Sequence, residues 1–400
     1  MNRIGLSAYD YGIIVLYFLL MLGIGWYFAK NKKDAEDYLL GGKNMHWFPV
    51  SVSMLMSVFS TYSLVMGPGE IFNHGWEWGV FSIVPQIFGI VSVLIFTKFF
   101  FKINAFTPFE YLSLRYDKYA RTLAALGHAW SSVFYAGMVL LTSAKIFEAA
   151  AGWPCWITIL IVGTVSIIYT GTGGLRAVVW TDFTQFFIMM LGIVALIVTL
   201  CRLTPGGAVG AVTYAFQNGH GLDGFKRPEF YTLWPYVRIT FWAMMINYTM
   251  SGLGIGLGQM TVQRLIATGS LKRAFRAQLS SFFIAALVIY LLDFIGFAVY
   301  SYYAQNPDPA VTSGDLALFR FVATKLPFLM PGVFISAALA AAMSTLSSVF
   351  NSDAAVWLKN FYIPYINPAA DNKQQVRFSF FATITVGVLA MIISLAQWAS

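Results

Sequence analysis

Charged residues are scarce in this sequence: 10% of its 400 residues are Asp, Glu, Lys or Arg, whereas 58% are hydrophobic. A water-soluble globule needs far more charge to cover its surface, so a soluble domain is excluded. The chain instead contains repeated apolar runs of about 20 residues, the length at which a helix crosses a bilayer. These features predict an all-α, polytopic membrane protein that forms a helix bundle.

Cysteine and histidine are also rare, and this removes most classes of catalytic and metal-binding site. Cys155 and Cys201 have neither metal-ligand spacing nor a disulfide framework, and none of the 4 histidines belongs to an H-E-x-x-H motif. The sequence contains no G-x-x-x-x-G-K-[ST] loop for ATP and no T-V-G-Y-G potassium filter. We therefore expect neither an enzyme, nor a pump driven by ATP, nor a potassium channel. A carrier driven by an ion gradient is the function that fits these absences.

The apolar runs predict ten membrane spans. Their ranges are 9–29, 47–70, 77–101, 120–148, 154–171, 180–201, 235–262, 274–303, 327–358 and 375–398. With this assignment, 17 of the 25 Lys and Arg residues fall in alternate connections, on one side of the membrane. Cations collect on the cytoplasmic side, so the N-terminus is predicted to lie outside the cell membrane. The net charge of +8 is thereby explained without nucleic acid.

The first span resembles a signal peptide in length but differs from one at its end. It runs into Lys30-Asn31-Lys32-Lys33 and offers no A-x-A cleavage site. We therefore expect this helix to be retained as a leading span, in a single transmembrane domain that covers residues 1–400.

Two interrupted spans divide the rest of the chain into a first repeat (47–201) and a second repeat (235–400), separated by an extracellular connection (202–234). The first interruption holds hydroxyls and Gly67-Pro68-Gly69, and the second, 250–259, holds four glycines. Transporters built from inverted repeats break such helices at the membrane midplane, where substrate and ions bind. Close helix packing at small residues is the alternative explanation.

The second repeat contains four spans, one fewer than the first. A complete design with five core helices in each repeat would need one more helix after Ser400. We therefore expect the last core helix to be absent and the chain to be part of a longer protein.

The stretch AAAMSTLSSVFNSDAA (340–355) places polar groups inside an otherwise apolar span. On a helix, Ala341, Ser344, Thr345 and Ser348 share one face. Hard cations such as Na⁺ prefer oxygen ligands, and the opened backbone of a broken helix at 56–60 could supply carbonyl oxygens. Alternatively, the hydroxyls bond to carbonyls of their own helix and the small residues mark a packing face.

Two of the acidic residues in or beside apolar spans are singled out, because charge there is costly and usually functional. Asp182 is one of them, but the order D-F-T-Q also fits a helix start with Asp182 as N-cap and Gln185 three residues later. Asp293 lies deeper in its helix, and the sequence assigns it no role.

Several stretches together resemble the sodium:solute symporter family, whose members carry proline, galactose, sialic acid, pantothenate, iodide and monocarboxylates. In chain order they are DYLLGGKNMHWFPVSVSML (37–55), TPFEYLSLRYD (107–117), IYTGTGGLRAVVWTDFTQ (168–185), GQMTVQRLIATGSLKRA (258–274) and AAAMSTLSS (340–348). The resemblance implies a LeuT-like fold, with one leading helix and two inverted five-helix repeats. It also implies alternating access around a midplane site.

The resemblance further implies a sodium site between the first and eighth core helices. It would comprise backbone oxygens of Met56, Phe59 and Ala341 and the hydroxyls of Ser344 and Thr345. The family's aspartate at the start of its fifth core helix matches Asp182. In some members that residue belongs to a second sodium site or to the sodium exit route.

For the solute, the resemblance implies contacts from several core helices. The candidates are Ser60, Thr61, Ser63, Gln86, Tyr135 and Asn247. Tyr135 stands where the sialic acid carriers have an arginine that grips a carboxylate, which argues against the same mode of sialic acid binding.

The resulting hypothesis is sodium-coupled import of a small polar organic solute, such as a sugar, sialic acid, a carboxylate or an amino acid. The expected partners are the solute, Na⁺ as coupling ion and the lipid bilayer, with neither nucleic acid nor an obligate protein partner. Two alternatives stay open at this point: a proton-coupled symporter in which Asp182 titrates, and a solute sensor with a carrier fold.

Overall fold

The computed structural model describes residues 6–30, 34–103, 106–234 and 236–399, and every regular element within these ranges is helical. The α-helices are α1 (Ala8–Ala29), α2 (Ala35–Leu40), α3 (Trp47–Val58), α4 (Thr61–His74), α5 (Val84–Ile103), α6 (Glu110–Arg115), α7 (Lys118–Ala151), α8 (Cys155–Leu203), α9 (Gly207–Gln217), α10 (Phe241–Ile255), α11 (Gln259–Ala267), α12 (Leu271–Gln305), α13 (Gly314–Lys325), α14 (Met330–Trp357) and α15 (Asn372–Ala399). Asn31, Lys32, Lys33, Pro235 and Ser400 lie outside the described residues.

Seven helices of the described chain are long and apolar enough to cross a membrane, or eight spans if the bent pair α3–α4 counts as one. The predicted spans 154–171 and 180–201 both lie in α8, which consists of two helices that meet at a non-helical residue and are not joined by a longer connection. The chain instead kinks at Gly174 (φ 65°), where a Cβ atom would lie 2.4 Å from the carbonyl oxygen of Tyr38. Glycine allows this positive φ and this close approach, so the two helices of α8 follow one another without a loop.

The interruption predicted in the second span is present, and it lies within 56–60, where opened backbone was expected, and not at the glycines. α3 ends at Val58 and α4 begins at Thr61, with 63° between the two helices, and Phe59 and Ser60 are extended. Gly67-Pro68-Gly69 stays inside α4, where a Cβ on Gly69 would lie 2.1 Å from Asp315 Oδ1. The break therefore occurs at Phe59 and Ser60, and Gly69 serves helix packing.

The second predicted interruption also forms a break. α10 ends at Ile255 and α11 begins at Gln259, with the glycines Gly256 and Gly258 between them. Both segments are too short to cross a membrane alone, which is why the predicted span 235–262 is not among the long helices. Each half of the chain thus contains one helix opened within the bundle.

Helix α14 forms the centre of the bundle and packs against α1, α3, α7, α8 and α15. In its most apolar window, 94% of the residues are buried within the protein. Ala and Ser residues dominate its middle, and small side chains let neighbouring backbones approach closely. The polar residues of 340–355 therefore face protein and not lipid.

Gly25 provides a direct test of the packing between α1 and α8. A Cβ atom there would lie 2.6 Å from Tyr169 Cβ and 2.8 Å from its Cα, whereas Gly23 on the same helix has no atom within 4 Å of such a Cβ. We expect Gly25→Ala to lower the free energy of unfolding by about 1–3 kcal/mol, because the contact involves backbone that cannot move aside. Thermal unfolding in detergent measures the effect. Gly23→Ala is the matched control, and equal melting temperatures for the two variants would contradict the prediction.

Candidate functional site

The break between α3 and α4 leaves backbone oxygens at the end of α3 without helical partners. The last carbonyls of a helix have no amide four residues later in the same helix to bond. Here the chain leaves helical geometry at Phe59 (φ −97°, ψ 104°), which frees the carbonyls of Met56 and Phe59. Both residues are buried, so these oxygens need partners from the protein or from a bound ion.

Two hydroxyls of α14 meet these carbonyls. Ser344 Oγ lies 3.0 Å from Met56 O and 3.0 Å from Ala341 O, and Thr345 Oγ1 lies 3.3 Å from Phe59 O and 3.3 Å from Ala341 O. The structure thus brings together all five oxygens that the resemblance implied; we call them the five-oxygen cluster. Ser344 and Thr345 are fully buried.

The five-oxygen cluster contains more acceptors than donors. Its three carbonyl oxygens can only accept, and each hydroxyl has one proton to share between two of them. A small hard cation is coordinated by carbonyl and hydroxyl oxygens alike and would relieve this shortage of donors. The cluster is therefore chemically suited to a sodium ion.

Asp182 lies in the interior of α8 and is fully buried, so its interpretation as a helix N-cap is wrong. Its Oδ2 accepts hydrogen bonds from Ser53 Oγ at 2.5 Å and from Arg264 Nη2 at 3.3 Å. Its Oδ1 has no hydrogen-bond partner among the described residues. None of these hydrogen bonds reaches the five-oxygen cluster.

The predicted spans put Arg264 in the connection between 235–262 and 274–303, and the structure contradicts that prediction. It lies inside α11 with 1% of its surface exposed. Its Nε donates to Ser53 Oγ at 2.8 Å, and its Nη2 donates to Ser348 Oγ at 2.6 Å. Ser348, the fourth residue of the predicted polar face, thus pairs with this cation. The sequence carries no signal for this, because an Arg at the end of a short helix usually reaches water.

A cavity of about 540 Å³ lies beside the five-oxygen cluster, and Phe59 belongs to both. Two of the predicted solute residues, Ser63 and Gln86, line this cavity. Sequence reasoning did not predict its other polar and aromatic lining, which includes His128, Trp78, Tyr248, Ser251, Gln259 and Asp293. These residues come from distant parts of the chain, so no local pattern links them.

The other four predicted solute residues lie elsewhere. Ser60 is buried within the break, and Thr61 Oγ1 donates to Ala338 O at 2.8 Å, which ties α4 to α14. Tyr135 and Asn247 are exposed on α7 and α10 and are not among the residues that line the cavity. Their role in solute binding stays a prediction.

The chain is similar to several curated transporters. It is 30% identical over 384 residues to the sodium-coupled monocarboxylate transporter 1 of Xenopus laevis, covering 92% of this chain and 60% of the relative. It is 28% identical over 396 residues to the sodium-dependent multivitamin transporter of Oryctolagus cuniculus, covering 96% and 61%. To the sodium/sialic acid symporter SiaT of Proteus mirabilis it is 26% identical over 391 residues, covering 96% and 77%. The chain spans about three-fifths of the length of the first two relatives.

The fold is that of a solved Na⁺-coupled sialic acid symporter in a substrate-bound, outward-open state. The TM-score is 0.91 at 24% sequence identity, with 100% of this chain and 84% of that chain covered. This confirms the predicted all-α, LeuT-like fold. The family model for the sodium:solute symporter family matches residues 38–399. With the collinear motifs, the break at Phe59 and the shared fold, this match establishes that the chain belongs to the sodium:solute symporter family.

Proposed function

We propose that this chain forms the core of a sodium-coupled symporter that imports a small polar organic solute by alternating access. The observation that carries the proposal is the five-oxygen cluster, which joins a broken helix to the central helix beside a cavity. Two of its five oxygens are side-chain hydroxyls and three are backbone carbonyls, so the cluster itself contains no group that titrates near neutral pH. It therefore favours Na⁺ over H⁺ as coupling ion.

The proton-coupled alternative would use Asp182, and the contacts of this residue weigh against it. A buried carboxylate without a counter-charge would have to take up a proton, whereas Asp182 lies 3.3 Å from the Arg264 guanidinium. The opposite charges of Asp182 and Arg264 balance one another within the protein.

The proposal keeps Asp182 as a candidate sodium ligand. Its contact with sodium would involve Oδ1, the oxygen that has no hydrogen-bond partner among the described residues.

Sodium and solute are coupled in this proposal through the end of α3. Phe59 gives its carbonyl oxygen to the cluster and also lines the cavity. An ion that draws this carbonyl towards α14 fixes one wall of the cavity and so raises the affinity for solute. Such coupling is reciprocal, and its usual size is about 5–150-fold in affinity.

The proposal also includes an orientation in the cell membrane. In this orientation the N-terminus lies outside, so the connection with Lys43 and the start of α12, with Arg273 and Arg276, face the cytoplasm. Cationic connections favour that side. The short helices α9 and α13 then lie on the extracellular side, in the connections after α8 and α12.

Replacing the two hydroxyls tests the cluster. We expect Ser344→Ala and Thr345→Val to weaken the sodium stimulation of binding or uptake by about tenfold each, because each removes one oxygen ligand and leaves the others. Thr345→Ser keeps the hydroxyl and should retain most of the sodium response. Sodium titration of thermal stability in detergent measures the effect on the chain itself.

Ser352→Ala is the control for these variants. Ser352 is buried on the same helix, but its Oγ donates to Val349 O of that helix at 3.0 Å and does not reach α3. Its sodium response should match that of the unmodified protein. An unchanged sodium response in Ser344→Ala and Thr345→Val would contradict the site.

The Asp182–Arg264 pair is tested by a double-mutant cycle. Asp182→Asn or Arg264→Gln leaves one buried charge without its partner, and we expect each to cost about 3–5 kcal/mol in the free energy of unfolding. The combined substitution should cost clearly less than the sum of the two, because both charges are then gone. Thermal unfolding in detergent measures the three variants. Additive losses would show that the two groups do not stabilise one another.

A further inference from the structure

Asp293 is a carboxylate deep within the membrane-spanning helix α12. It lies 22 residues after the start of this 35-residue helix, or about 33 Å along its axis. Only 3% of its surface is exposed, and it is among the residues that line the cavity. An acid buried within a membrane-spanning helix is costly, so it requires a compensating interaction.

The protein supplies only part of that compensation. Trp76 Nε1 donates a hydrogen bond to Asp293 Oδ2 at 2.8 Å. No Lys, Arg or His nitrogen among the described residues lies within 4.0 Å of either carboxylate oxygen, whereas Asp182 has Arg264 at 3.3 Å. The described residues thus supply no positive charge to balance an ionised Asp293, and the cavity is the place where a bound solute can supply one.

The lining of the cavity has the character of a site for a cation. Among the described residues that line it, none is Lys or Arg, Asp293 is the one acid and His128 is the one histidine. Trp78 and Tyr248 both line the cavity, with ring centroids 6.5 Å apart. Aromatic faces attract ammonium groups through their quadrupole, most strongly where water is excluded. A carboxylate together with aromatic rings is a chemical environment that selects a positively charged nitrogen.

The same lining disfavours an anionic solute. A solute carboxylate would approach Asp293 without any lysine or arginine of the lining to pair with it, and like charges at short range in a buried site repel strongly. Relatives of this chain are named for monocarboxylates and for sialic acid, which are acids. The lining of the cavity in this chain instead favours a solute that carries a positive charge.

We propose that Asp293 binds the positively charged nitrogen of an ammonium-bearing solute, with Trp78 and Tyr248 contributing aromatic contacts. The solute of this chain is then cationic or zwitterionic. The inference rests on the proposed function, because it assigns a substrate class to the cavity of that symporter. It does not depend on which oxygens bind sodium.

Matched sets of small molecules test the proposal. The full chain in lipid nanodiscs, at saturating sodium, is titrated with choline and putrescine, with their neutral analogues tert-butylethanol and butanediol, and with the carboxylates tert-butylacetate and succinate. Thermal stabilisation and tryptophan fluorescence report binding, since Trp76 and Trp78 lie at the site. We expect the ammonium compounds to bind and the analogues not to bind.

Asp293→Asn should weaken binding of the ammonium compounds by at least about tenfold, the usual effect of removing the charged partner of a hydrogen bond. Asp223→Asn is the matched control, because it removes one negative charge from an exposed pair with Lys226 outside the cavity. Asp293→Glu keeps the charge and should retain binding. If Asp293→Asn does not fold, the comparison of the compound sets on the unmodified protein decides by itself.

The proposal is overturned if the carboxylates or the neutral analogues bind as tightly as the ammonium compounds, or if none of the compounds binds. It is also overturned if Asp293→Asn binds choline or putrescine within about twofold of the unmodified protein. Sodium stabilisation without any solute is measured first, in the unmodified protein and in Asp293→Asn. Its absence in the unmodified protein would contradict the proposed function, whereas intact sodium stabilisation without ammonium binding would contradict this inference alone.

Discussion

The opening of the α3–α4 helix at Phe59 and Ser60 is the constraint on which the site depends. Inside a bilayer, carbonyl oxygens released from a helix find no water, so the protein or a bound ion must satisfy them. α14 provides that environment with Ser344 and Thr345, at 3.0 and 3.3 Å from the carbonyls of Met56 and Phe59. The hydroxyls of α14 thus lie opposite the break. The cavity lies beside the same break, because Phe59 belongs to its lining.

The buried acids of the bundle show how charge is handled at this depth. Asp182 has a guanidinium beside it and joins α8, α11 and α3 through Arg264 and Ser53. Asp293 has one indole donor and faces a cavity instead. Because an uncompensated charge is expensive in a low-dielectric interior, the first arrangement serves cohesion of the bundle and the second leaves a charge for a ligand to balance.

Much of the fold and the members of the five-oxygen cluster could be predicted from the sequence. The apolar runs located the membrane helices, and helical spacing placed Ala341, Ser344 and Thr345 on one face before any partner was known. The resemblance added Met56 and Phe59, and the structure brings these residues together. Distant contacts decided other features: the two helices of α8 meet directly at Gly174, and Tyr135 and Asn247 do not line the cavity, so their role in solute binding stays a prediction.

The sequence by itself determined that the chain is a membrane protein, where its helices run, and that one helix carries hydroxyls along a single face. These are local properties, set by length, polarity and helical period. Only the tertiary structure decided that Arg264 is buried against Asp182 and that Asp293 faces a cavity whose described lining contains neither lysine nor arginine. Whether a charge is compensated depends on side chains that are far away in the sequence, and only packing brings them within a few ångströms.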